Sequence, residues 1–193
     1  VEKGVPYQTI NKKGENPVLF AAKGMRRRTL DVEVFQYLKE TLDLEVDVVN
    51  WEGKTPLTYA AFRGTPEVID FFMNNGVSAN QVDKSGTIAL LNAVGKDTKK
   101  LEKLYSHTKN PNHQNNLGYS ALTMAVKRRS KKAFDFLMDR EADVMVVDAE
   151  GNNLIYHAFK AFHKKKQKEL NDMIDRLVKA GVNPKSANIE GNT

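Results

Sequence analysis

The stretch Asn50-Trp51-Glu52-Gly53-Lys54-Thr55-Pro56-Leu57-Thr58-Tyr59-Ala60-Ala61, continued by Pro66-Glu67-Val68-Ile69-Asp70-Phe71-Phe72-Met73-Asn74-Asn75-Gly76, reads as a tight turn and two helices. Asn50 and Gly53 make the turn, because glycine accepts positive φ and the short amide side chain bonds nearby backbone. Thr55 then caps a helix that has Pro56 at its first position. Ala60 and Ala61 are small where another helix must approach. Val68, Ile69, Phe71, Phe72 and Met73 form the apolar stripe of a second helix, and Gly76 ends it.

The same pattern recurs along the 193 residues. Gly14, Gly53, Gly86, Gly118, Gly151 and Gly191 each follow an Asn or Asp by three positions: Asn11, Asn50, Asp83, Asn115, Asp148 and Asn188. Seven residues after the first five glycines stand Ala21, Ala60, Ala93, Ala125 and Ala158. The glycines are spaced by 39, 33, 32, 33 and 40 residues, so the chain is a repeat array.

The unit resembles the ankyrin repeat, a β-turn with two antiparallel helices. The resemblance covers essentially the whole chain. It implies an all-α solenoid with units at about residues 11–49, 50–82, 83–114, 115–147 and 148–187, and cut units at 1–10 and 188–193. Val1-Glu2-Lys3-Gly4 resembles the end of an earlier second helix, and Asn188 opens another turn. The expectation is therefore one monomeric domain excised from a longer array, with exposed apolar end faces that could self-associate. The family usually places His two residues before the first Ala; here those positions hold Leu19, Thr58, Leu91, Thr123 and Tyr156. The third unit, with Ile88-Ala89 in place of Thr-Pro, is expected to pack less regularly. The two long units carry their excess near residues 25–33 and 162–172. The second excess lacks Gly and Pro, so it lengthens helices.

Composition narrows the function. The chain has no cysteine, which removes a disulfide framework, a Cys-ligated metal and a Cys nucleophile. It also leaves the compartment open. No apolar run reaches about 18 residues. His107, His113, His157 and His163 show no metal-binding pair spacing, and His157 is expected to be a packing or surface residue. No phosphate loop or nucleophile motif is present. The reading is non-catalytic, with no metal and no cofactor.

The family resemblance implies binding on a concave groove lined by turn tips and by the ends of the first helices. On that basis the partner-binding residues are Trp51, Glu52, Lys54, Phe62, Arg63, Lys84, Lys96, Leu117, Tyr119, Lys127, Arg128 and Lys160, and the matching positions of the first unit are Lys12, Lys13, Glu15 and Lys23. Trp51 is the only tryptophan, of a residue type that often dominates interface energetics. The bland alternative is that these aromatics fold back over neighbouring turns.

Charge adds a second signal. The net charge is +6, from 30 basic and 24 acidic residues. The helix-junction segments 23–29, 62–65, 95–100, 127–132 and 160–168 hold 18 of the basic residues and one acid, Asp97. The rest of the chain holds 12 basic against 23 acidic residues, so an acidic body carries a basic edge. Cations at helix C-termini explain part of this. The functional expectation is an acidic protein partner, with nucleic acid, an anionic membrane surface, or a purely structural spacer as the alternatives.

Overall fold

A computed structural model describes residues 9–25, 32–161, 167–186 and 188–191. The helices come in pairs. They are α1 (Pro17–Gly24) with α2 (Val32–Glu40), α3 (Pro56–Arg63) with α4 (Pro66–Asn74), and α5 (Ala89–Ala93) with α6 (Lys99–Tyr105). Then follow α7 (Ala121–Lys127) with α8 (Lys131–Met138), and α9 (Leu154–Lys160) with α10 (Gln167–Lys179). No strand occurs among the described residues, so the fold is all-α. Among them, no helix is long and apolar enough to cross a membrane.

Each pair is introduced by a turn built the same way. In the first five, the Asn or Asp side chain accepts from the backbone N–H groups two and four residues on: Asn11, Asn50, Asp83, Asn115 and Asp148. The turn glycines sit at φ between 72° and 80°, where a side chain is strained. Consecutive turns are joined by backbone bonds. Trp51 N–H donates to Lys13, Lys84 to Glu52, Asn116 to Ser85, Ala149 to Leu117 and Ile189 to Glu150, at 2.8–3.2 Å. This ladder sets the rise from one unit to the next.

Capping starts the first helices. Asn16, Thr55, Ser120 and Asn153 each accept from the N–H three residues on. Thr58 and Thr123 return a side-chain bond to the cap residue and complete capping boxes. Ile88 cannot cap, and α5 is the shortest first helix at five residues. The third unit packs less regularly, as expected: α5 meets α7 over far less of its length than α3 meets α5, although Ile88, Ala89, Leu90, Leu91 and Ala93 stay buried.

First helices pack on first helices, as α1 on α3, α3 on α5, α5 on α7 and α7 on α9. Ala22, Ala60, Ala61, Ala93, Ala125 and Ala158 are fully buried at these crossings. The second helices form the other layer, joined by Phe35–Phe72 at 4.9 Å and Tyr105–Phe136 at 5.5 Å. Ion pairs stitch the same layer: Lys103–Asp70 at 2.5 Å, Lys131–Asp172 at 2.9 Å and Arg176–Asp135 at 2.6 Å. Gly76 and Gly181, at φ 89° and 98°, close α4 and α10. Of the two long segments, residues 26–31 and 162–166 lie outside the described residues, as does the Val1–Gly4 feature. Gln167 and the residues after it belong to α10, whose 13 residues exceed the nine of α4 and the eight of α8.

Candidate partner-binding surface

Trp51 lies at the tip of the second turn and is 60% exposed. Its indole leans back onto the first turn, so a Cβ placed on Gly14 would come 2.5 Å from Cδ1. The residue is thus both exposed and seated, held by its own N–H bond to Lys13 and by the bare face of Gly14. Beside it Glu52 pairs with Lys54 at 2.7 Å. That contact holds the Glu52 carboxyl below its usual range and the Lys54 ammonium above its own.

Turn and first-helix end meet within single units. Lys23 Nζ donates to Glu15 at 2.6 Å, and Lys127 Nζ lies 3.9 Å from the Tyr119 ring centroid. Each pair is separated by eight residues, so the two sequence positions do share a face. Glu15 is buried. Burial alone would raise its carboxyl pKa, but bonds from Lys23 and Asn11 outweigh that and lower it. Lys160 lies 5.5 Å from the Tyr156 ring, and Arg63 the same distance from the ring of Phe62.

Leu117 is 56% exposed on the fourth turn, and Lys84 is exposed on the third. Trp51 and Leu117 stand on the second and fourth turns, with the third, around Lys84, between them. Tyr119 is partly covered by Lys127 and meets His157 edge-on at 5.5 Å. Phe20 and Phe159, exposed on first helices, had no place in the sequence reading of the surface.

The basic edge is less free than its composition suggests. Arg128 donates through Nη1 to the carbonyls of Leu91, Asn92 and Val94, at the end of α5. Lys100 donates to the carbonyls of Ala61 and Phe62, at the end of α3, and Arg129 to that of Ala161, after α9. These cations close helix C-termini of neighbouring units, where orphan carbonyls and the helix dipole favour positive charge. Desolvation of the guanidinium against the α5 end lowers the pKa of Arg128, though the side chain as a whole stays exposed. Sequence position makes Arg128 a binding residue, yet its Nη1 is spent on holding units together. Lys131 is tied to Asp135 and Asp172. Lys96, Lys99 and Lys132 are exposed and have no side-chain partner among the described residues.

His157 is a buried packing residue, as expected, but with polar surroundings. Nε2 lies 2.9 Å from Asp148 Oδ2, yet neither ring nitrogen has an in-line hydrogen bond. Burial, then the nearby Lys127, lower its pKa, against the pull of Asp148. Among the described residues no group of three or more His, Asp or Glu converges as a metal site.

Residues 52–84 match the model of the ankyrin repeat. The chain is also 25% identical over 183 residues to an L-asparaginase of Dirofilaria immitis, an alignment that takes in 77% of this chain. The chain spans 30% of the length of that protein.

Proposed function

With an ankyrin repeat at residues 52–84 and an all-α ankyrin-repeat fold around it as the premise, we propose that the chain is a non-catalytic module that binds an acidic protein partner. We read it as one domain with units at 11–49, 50–82, 83–114, 115–147 and 148–187. Binding of protein partners is the general role of such repeats. Trp51 carries the finer reading: the only tryptophan is exposed on a turn whose backbone is fixed on both sides by the ladder. A large rigid aromatic held ready in this way is what an interface anchor needs. The proposed surface takes in Glu52, Lys54, Phe62, Arg63, Lys84, Lys96, Leu117, Tyr119, Lys127, Arg128 and Lys160, with the free lysines Lys96, Lys99 and Lys132 steering the approach.

The test compares partner affinity of the intact chain and Trp51→Ala. The expected loss is about 2 kcal/mol. Equal affinity removes Trp51 from the surface. A second reading has one observation behind it. The likeness to part of an L-asparaginase favours an array that serves as an accessory or spacer segment beside a hydrolase domain.

A further inference from the structure

The early end of α5 opens a cleft of about 520 Å³ between the ends of α3 and α7. The other first helices have seven or eight residues, but α5 stops at Ala93, and Val94 turns extended at φ −61°, ψ 114°. Gly64 and Gly95 line it. Phe62, itself 53% exposed, and Val94 give it apolar walls, while Lys96, Lys100 and Arg128 bring cations to it against one acid, Asp97. Pro66, at the positive end of α4, also lines it.

Resting on the reading above, we propose that this cleft is the docking site for an acidic peptide segment of the partner. One apolar side chain of the peptide sits against Phe62 and Val94, and flanking carboxylates meet Lys96 and Arg128. Charge complementarity selects the occupant. Arg128 is held in place by the α5 carbonyls through Nη1, and a guanidinium has five N–H donors in all, so an incoming carboxylate finds a fixed fork. The size suits a side chain or two, and is within the range of small-ligand pockets. The apolar walls suit a peptide better than a phosphodiester backbone, which calls for cations in a row.

The experiment pans random short peptides displayed on phage against the whole chain, then measures the winners by fluorescence anisotropy. The variants are Lys96→Glu, Phe62→Ala and Trp51→Ala, with thermal melts to show that each folds. Enriched peptides that combine Asp or Glu with an aromatic or branched residue, and that lose about tenfold in affinity with Lys96→Glu and Phe62→Ala, are the expected result. Acidic peptides that ignore both changes but need Trp51 overturn the cleft while leaving the acidic-partner reading standing. Enriched peptides without acids, or no enrichment over the bare support, overturn both.

Discussion

The indole of Trp51 lies on Gly14, close enough that a single methyl there would meet Cδ1 at 2.5 Å. Gly14 also sits at φ 72°, so alanine is disfavoured twice, by backbone and by contact. Gly14→Ala is expected to cost at least about 1 kcal/mol and to shift the emission of the only tryptophan. Urea unfolding followed by fluorescence measures both. An unchanged midpoint and spectrum would mean that the indole does not rest there.

Arg128 and Lys132 are four residues apart and have different surroundings. Arg128→Ala leaves the carbonyls of Leu91, Asn92 and Val94 without their donor, and is expected to cost about 1 kcal/mol or more. Lys132→Ala, at an exposed site with no side-chain partner among the described residues, is expected to stay within about 0.5 kcal/mol of the parent. Thermal melts of both variants check the contrast. Equal stability would return Arg128 to the free basic surface.

The Asn/Asp–Gly turns, the cap at Thr55 and the alanine crossings could be read from sequence, because each rests on short-range chemistry at fixed spacing. The edge was read from composition, and composition does not tell a solvated arginine from one folded onto a carbonyl some 35 residues away. The i, i+8 meetings of Glu15 with Lys23 and Tyr119 with Lys127 follow from a turn running into a helix, and the repeat register placed both partners on one face. The α5 cleft was beyond reach. The missing cap at Ile88 signalled irregularity but not that the end of the helix would be lost while its core stayed packed.

Acid should weaken the fold in two stages. The folded-state pKa of His157 is depressed from the ordinary value near 6.5, so the folded chain binds fewer protons there than the unfolded one. That contribution is complete above about pH 6.5 and is lost as pH falls from there through the lower folded value. The groups facing His157 are Asp148, Lys127 and Lys160, with the Tyr119 and Tyr156 rings. Glu15 and Asp148, also depressed, add a second loss below about pH 4. Urea midpoints from neutral to acid pH should fall in both ranges. His157→Gln should remove the first fall only; if the parent curve is flat there, the buried imidazole has no role in pH dependence.

Charge reversal should separate steering from structure. Lys96→Glu, Lys99→Glu and Lys132→Glu together are expected to slow association with an acidic peptide at low salt by about tenfold, with stability unchanged. Lys131→Glu should instead loosen α8 from α10, because Lys131 bridges Asp135 and Asp172. Stopped-flow rates and melts distinguish the two. A triple variant that associates as fast as the parent would exclude these lysines from steering.

One salt titration decides whether the partner is an acidic protein. The whole chain is measured against an acidic peptide selected on it, duplex DNA, and vesicles containing phosphatidylserine. The expected result is saturable peptide binding that weakens but survives at physiological salt, with no saturable binding of DNA or vesicles under the same conditions. Saturable DNA or vesicle binding with a steep salt slope, and none of the peptide, would contradict it.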